Sequence, residues 1–321
     1  MLLLLLLPLA LLHYFVTSTT STNNQSPISI LQPPDTTATM PKVWLITGCS
    51  SGFGQEIALA ALAHGDTVVA TARDPTKLSL LASRGALVEQ LDVLDSDANL
   101  AARIAAILEK TSTIDILVNN AGYILAGGVE ECSRDEVSAQ FNTNVFGQLN
   151  VIRAVLPVMR KKRAGVVANL GSIGGWHGTP AAGLYCASKA CSTILSEALR
   201  QEVAHLGIKV TAIEPGYFRT NFLSAGHKTV ARNRIEDLSE GTDGTYKGLD
   251  AYNQNQPGDP KKGAQLIVEA LTGTGRCVGR ELPVRLSLGS DAYQLVSGYI
   301  EGYKAELEGW KDVSTTTDCD A

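Results

Sequence analysis

From Lys42 onward the chain alternates short aliphatic and β-branched runs with longer stretches whose apolar positions recur at helical spacing. The runs predict strands over residues 43–47, 67–71, 87–91, 114–119, 165–170, 209–214 and 282–288. The periodic stretches predict helices over 55–64, 76–84, 96–110, 134–162, 183–206, 261–272 and 291–308. Strand and helix in repeated alternation is the pattern of a parallel sheet covered by helices on both faces, an α/β doubly wound fold with seven strands. Residues 222–260 interrupt it, being polar and rich in Gly, Asn and Asp, and are read as a mobile loop. No repeat and no internal linker is visible, so a single domain is expected from about residue 40 to 321.

Composition narrows the classes. The chain has 321 residues, 45% of them hydrophobic and 18% charged, enough apolar material to bury a core and unlike a disordered chain. Its 27 Lys and Arg against 32 Asp and Glu leave a net charge of -5, and the one dense basic run is 160–163. A nucleic-acid partner would need a basic stripe, so none is expected. Six cysteines stand without a C-x-x-C pair or a His at ligand spacing; no metal is indicated, and scattered thiols suit a reducing compartment. No cation precedes Lys42. Residues 2–16 are an apolar, leucine-dominated run broken by Pro8 and His13, followed by a Ser/Thr/Asn/Pro tract up to 39. As a helix the run would rise ~22 Å, short of a hydrocarbon core of ~30 Å. It has the length of a signal-peptide core, without a basic flank or a clear small-x-small cleavage site. Residues 1–39 are therefore read in two ways: a membrane-targeting segment, or an extension upstream of a start at Met40.

Directly after the first strand comes Thr47-Gly48-Cys49-Ser50-Ser51-Gly52-Phe53-Gly54, and then a helix. Glycines at 48, 52 and 54 let the backbone turn tightly and approach a pyrophosphate, which would sit at the positive helix N-terminus beside Ser50, Ser51 and Phe53. Strand, glycine loop and helix in this order form the nucleotide-binding start of a Rossmann-type fold. The spacing is T-G-x-x-x-G-x-G rather than G-x-G-x-x-G, and here the chain resembles the short-chain dehydrogenase/reductase family.

The second strand runs out as Ala70-Thr71-Ala72-Arg73-Asp74. An acid at this place accepts from the ribose 2′-hydroxyl of NAD, whereas an arginine pairs with a 2′-phosphate. NAD-dependent members of the family carry the acid where this chain has Ala72, and Arg73 follows, so the expected cofactor is NADP, as NADPH. The alternative is that Asp74 turns inward to hold the ribose of NAD. Three further matches extend the resemblance. The family's aspartate at the end of the third strand meets the adenine, which implies that role for Asp92 with Val93. Asn119-Asn120-Ala121-Gly122 matches the family's N-N-A-G, which stabilises the central sheet and lines the adenosine ribose; Asn119, Ala121 and Gly122 join the expected cofactor set. Pro215-Gly216 leads into Tyr217, Phe218 and Thr220, which in the family cover the nicotinamide.

Tyr185 and Lys189 stand four apart at the start of a helix and so share a face, with Ser172 thirteen residues earlier at a strand end. Phenol, ammonium and hydroxyl form a proton-transfer unit for a carbonyl, because a free phenol ionises near pH ~10 and needs a positive neighbour to work near neutrality. The resemblance implies that Tyr185 gives a proton to the carbonyl oxygen, Ser172 hydrogen-bonds that oxygen, and Lys189 lowers the phenol's pKa and holds the nicotinamide ribose. It adds Asn144, in Asn142-Thr143-Asn144-Val145-Phe146-Gly147, as the anchor of a water that relays protons to Lys189. A Ser/His hydrolase is not supported, since Gly171-Ser172-Ile173-Gly174 lacks the G-x-S-x-G spacing; Trp176 and His177 are read as substrate-loop residues. Residues 222–260 fall where the family inserts its substrate lid, and Tyr217, Phe218, Phe222 and Tyr246 either wall an apolar pocket or form the core of that lid.

The reading is an NADP(H)-dependent oxidoreductase that interconverts a ketone or aldehyde and an alcohol, in the reducing direction, on a small to medium apolar substrate. Gly289-Ser290-Asp291-Ala292, Trp310 and the run E-P-G-Y-F-R-T-N-F resemble the hydroxysteroid- and retinol-dehydrogenase-like branch of fungi and bacteria. The rivals are a non-catalytic NADP-binding sensor, an NAD-dependent alcohol dehydrogenase, and a dehydratase or epimerase on the same fold. The resemblance also implies a homo-oligomer paired through the helices at 134–162 and 183–206. The catalytic domain is expected in the cytoplasm, with attachment to the endoplasmic reticulum through residues 2–16 if they are a targeting segment.

Overall fold

The first strand, β1 (Val43–Ile46), is buried along its whole length and sends alternate side chains to opposite faces. Trp44 and Ile46 pack with Ile57, Ala58 and Ala61 of α1 (Gly52–Ala63) and with Ile267, Val268 and Leu271 of α8 (Pro260–Thr272). Leu45 points the other way, into a cluster holding Leu100 and Ile104 of α3 (Asp97–Thr111) and Val151 and Val155 of α5 (Gly147–Lys162). Each fully buried aliphatic side chain of this kind contributes ~1.5–3 kcal/mol, which is why the run is apolar at every position. The coordinates are those of a computed structural model and describe residues 40–224 and 226–319. The expectations for residues 1–39 lie outside the described residues.

Around β1 the sheet is built from β2 (Thr67–Ala72), β3 (Leu87–Gln90), β4 (Ile116–Asn119), β6 (Gly165–Leu170), β7 (Ile208–Pro215) and β9 (Arg285–Leu288). All seven strands are parallel, in the order β3-β2-β1-β4-β6-β7-β9. The chain winds outward from β1 to β3 and then returns to place β4 on the other side of β1. That reversal opens a crevice at the carboxyl ends of β1 and β4, where a doubly wound sheet of the Rossmann type holds its ligand. The remaining helices are α2 (Ser79–Ser83), α4 (Arg134–Phe141), α6 (Gly183–Val203), α7 (Ser239–Tyr252), α9 (Ser290–Gly309) and α10 (Lys311–Ser314). Among the described residues no helix is long and apolar enough to cross a membrane. The six cysteines are free thiols, and Cys49, Cys132 and Cys186 are buried.

Two expectations are corrected, and one pairing is unforeseen. The helix predicted over 134–162 is interrupted by a π-helical turn, Asn142–Phe146, between α4 and α5. Such a turn re-aims side chains within an otherwise continuous helix, and here it buries Asn144. Residues 222–260 are not a plain loop: α7 forms despite Gly241, Gly244 and Gly248, because tertiary contact of Tyr246 and Leu249 with Ile124, Ala182 and Leu223 outweighs the poor helix propensity. The segment also contributes β8 (Lys228–Val230), paired in parallel with β5 (Ile124–Ala126) in a separate two-stranded sheet that the hydrophobic pattern does not reveal.

Candidate active site

Thr47, just past β1, is buried, and its hydroxyl accepts from Asn120 N (3.0 Å) and Ala121 N (3.1 Å). Asn120 Nδ2 donates back to the carbonyls of Thr47 and Gly48, both at 2.9 Å. The glycine loop is thus stitched to the end of β4. Gly48 and Gly52 adopt φ of 69° and 59°, the left-handed region that favours glycine. Gly48, Ser50, Ser51, Gly52 and Phe53 line one end of a cavity of about 1020 Å³. Ser51 precedes α1 without capping it, and the first turn of α1 carries no acidic residue, so the positive helix end is left for an anion.

Two expected cofactor residues stand behind this wall. A β-carbon on Gly54 would lie 2.4 Å from Asn120 Nδ2 and 2.5 Å from the Gly48 carbonyl, so Gly54 is required by packing and does not line the cavity. Asn119 pairs in register with Asn169 and donates to its Oδ1 at 2.9 Å, and Asn169 donates to Ser196 Oγ at 2.8 Å. It joins β4 and β6 to α6, while its neighbour Asn120 is the one that faces the cavity.

At the outer rim, Arg73 lines the cavity just past β2. Asp74 is turned away onto its own backbone: Oδ1 accepts from Thr76 N (3.1 Å) and Thr76 Oγ1 (2.6 Å), capping a short 3₁₀ turn, Pro75–Leu78. Those bonds hold its carboxyl below the usual range. Asp92 and Val93 line the adjoining wall, with Ala121 and Gly122 from the β4 end. Pro215, Gly216, Phe218 and Thr220 follow from the end of β7.

Farther along, Ser172, Tyr185 and Lys189 share one wall. Ser172 follows β6 and caps the 3₁₀ turn Ile173–Gly175, its Oγ accepting from Gly174 N at 3.0 Å. Tyr185 lies in the first turn of α6, its phenol near enough to the Ser172 hydroxyl to be lowered by it. Lys189, buried a turn later, donates from Nζ to the Leu170 carbonyl (2.6 Å) and lies 5.9 Å from the Tyr185 ring centroid. Burial pushes the ammonium down to about 8. The same cause pushes the phenol up, against the smaller lowering effect of the nearby Ser172 hydroxyl. The Asn144 side chain lies behind the wall. Its Oδ1 accepts from Tyr123 N (3.1 Å), and its Nδ2 donates to Tyr123 O (3.0 Å) and Ser188 Oγ (3.1 Å). It therefore clamps Tyr123 against the residue preceding Lys189.

His177 lines the cavity and stacks on Tyr299, with centroids 4.4 Å apart. Trp176 does not line it. Its Nε1 donates to Glu214 Oε2 (2.7 Å) beneath the Arg285 guanidinium (4.2 Å), which corrects the substrate-loop expectation. Tyr217, Phe218 and Phe222 are cavity wall, with Leu249 and Tyr252 of α7. Tyr246 is lid core instead, donating from its hydroxyl to Glu131 Oε2 at 3.1 Å beneath the Arg234 guanidinium. Glu131, fully buried, also accepts from Gly128 N (2.8 Å), Ile235 N (3.1 Å) and Arg234 Nη1 (3.0 Å). No motif marks it, because its partners lie up to 115 residues away. Gln256 lines the cavity too, and among the described residues its buried Oε1 has no hydrogen-bond partner. The left-handed glycines, the uncapped helix end and this unpaired acceptor fit a bound dinucleotide.

A sequence model of the short chain dehydrogenase family matches residues 42–230. The chain is similar to oxidoreductase BOA17 of Botryotinia fuckeliana, at 34% identity over 280 residues, 86% of this chain and 98% of the other. It is 36% identical over 230 residues to 3-ketodihydrosphingosine reductase of Bacteroides thetaiotaomicron, covering 70% of this chain and 82% of that one. Among solved structures, a short-chain dehydrogenase from Streptomyces avermitilis superposes with a TM-score of 0.79 at 39% identity, over 87% of this chain and 99% of the other. Family model, full-length relatives and shared architecture agree: the chain belongs to the short-chain dehydrogenase family of oxidoreductases.

Proposed function

We propose that this protein is an NADP(H)-dependent oxidoreductase that reduces a ketone or aldehyde to an alcohol on a small to medium apolar substrate. The carrying observation is that Ser172, Tyr185 and Lys189 share a wall of the cavity whose other end is the glycine loop. The nicotinamide cofactor, when bound, supplies the hydride. Ser172 hydrogen-bonds the substrate oxygen on the same wall as the phenol. Tyr185, kept protonated at neutral pH by burial, delivers its proton to that oxygen, and the Lys189 ammonium stabilises the phenolate left behind. Asn144 positions this pair through Tyr123 and Ser188.

Arg73 at the cavity rim, Ala72 in place of an acid, and Asp74 engaged by Thr76 support NADP(H) over NAD. Phe222, Leu249 and Tyr252 supply the apolar wall against which substrate would pack, and the 222–260 lid would keep water from the hydride step. Tyr185→Phe is expected to abolish NADPH oxidation across a panel of ketones and aldehydes while leaving NADPH binding intact. Turnover retained by that variant overturns the mechanism.

A further inference from the structure

His227 enters β8 from the lid with its backbone engaged on both sides: its N–H donates to the Ser224 carbonyl (3.1 Å), and its carbonyl accepts from Ile124 N (3.1 Å). The pairing of β5 with β8 fixes where its ring points. That ring reaches the glycine loop, placing Nε2 2.9 Å from Ser51 Oγ across 176 residues of sequence. Both residues line the cavity beside Arg73. Ser51 Oγ does not cap α1, so its described side-chain partner is this imidazole. Burial, aided by the charges of Arg73 and of Lys77 in the turn after β2, pushes the imidazole below its ordinary range. The neighbouring carboxylate offers no relief, because Asp74 is turned onto Thr76.

Arg73 and His227 thus face the cavity from the β2 end and from the lid. Charging an imidazole beside an arginine is unfavourable with nothing between them and favourable once a dianion sits between them. Building on the NADP(H) reading above, we propose that His227 is a specificity-determining residue: with Arg73 and Ser51 it receives the ribose 2′-phosphate, so that the phosphate draws the lid onto the glycine loop. NADP(H) would then order the lid in a way that NAD(H), lacking that phosphate, does not.

Dissociation constants of NADPH and NADH for the full chain, read from energy transfer between its tryptophans and the bound nicotinamide, test this without turnover. His227→Gln keeps a hydrogen bond to Ser51 but no charge; it is expected to weaken NADPH about tenfold, the scale of one charge-assisted bond, and to leave NADH unchanged. His227→Lys, which restores a cation, is expected to recover most of the NADPH affinity. In parallel, NADPH and not NADH should protect residues 226–252 of the wild type from limited proteolysis, and His227→Gln should remove that protection. Equal loss of both cofactors in His227→Gln, no loss of either, or failure of His227→Lys to recover NADPH affinity overturns the proposal while leaving the cofactor reading intact. Equal affinity of the wild type for NADPH and NADH overturns the cofactor reading and this proposal together.

Discussion

Replacing Lys189 by methionine removes the ammonium from beside Tyr185 while keeping an unbranched side chain in the same buried space. The ammonium lies 5.9 Å from the centre of the phenol ring, and at neutral pH it is charged, since burial holds it at about 8. Two unit charges at that separation in an effective dielectric of about 20 interact by ~2.8 kcal/mol, equivalent to ~2 pKa units. The interaction favours phenolate, so its loss raises the phenol further, in the same direction as burial already pushes it. The consequence appears in both directions. Alcohol oxidation needs the phenolate as base, and carbonyl reduction leaves a phenolate behind, so kcat/KM of either reaction should fall ~100-fold below about pH 8, where the ammonium is charged, and by less above it. The assay is the pH profile of both reactions with saturating cofactor for wild type, Lys189→Met and Lys189→Arg, the last restoring a cation and part of the rate. A loss that is uniform across the pH range would refute an electrostatic role and leave Lys189 only as a support for binding.

Other substitutions separate along similar lines. Arg73→Ala should weaken NADPH ~10- to 100-fold, as expected for a lost charge-assisted contact, with little change for NADH in the same titration. Gly54→Ala places a β-carbon 2.4 Å from Asn120 Nδ2 and 2.5 Å from a backbone carbonyl, so thermal unfolding should show a loss of ~1–3 kcal/mol or more. Gly244→Ala, on an exposed turn of α7 with nothing within 4 Å, should instead stabilise by ~0.5–1 kcal/mol. Glu131→Gln should cost ~1–3 kcal/mol by disrupting the bonds that Arg234, Ile235 and Tyr246 make to one buried carboxylate, and limited proteolysis should then cut the 222–260 segment faster.

The sheet and its helices were legible because burial on both faces leaves each strand as a short apolar run, as in β1 and β4. The glycine loop and the Tyr185–Lys189 pair were legible because turn geometry and helical spacing act over a few residues. The lid was less so. Gly241, Gly244 and Gly248 disfavour helix locally, yet α7 forms because Tyr246 and Leu249 find partners in β5 and α6 that no local pattern announces. Glu131 is hidden for the same reason: its functional context is assembled from Arg234, Ile235 and Tyr246, more than a hundred residues away.

Motif residues also divide in a way that spacing does not reveal. Gly48, Ser51, Gly52, Asn120 and Tyr185 form the cavity surface, whereas Gly54, Asn119 and Asn144, drawn from the same motifs, stand a layer behind it. In the second set Asn119 and Asn144 are held by hydrogen bonds of 2.9–3.1 Å to sheet and helix groups, and Gly54 by the lack of room for a β-carbon, rather than by reach to a ligand. A wall position can be changed with the fold intact, so its loss should appear in a dissociation constant or a pH limb. A supporting position transmits its change through packing, so its loss should appear first in unfolding temperature, and in cofactor affinity only as far as the wall residue it holds has moved. Asn119 and Asn120, adjacent in sequence and on opposite sides of this division, make the comparison within one dipeptide. Asn120→Ala removes the two side-chain bonds that stitch the glycine loop to the end of β4 and should lower affinity for both cofactors. Asn119→Ala leaves that loop stitched and removes the Asn169 bond inside the sheet, so its effect should be on stability, with cofactor affinity largely retained.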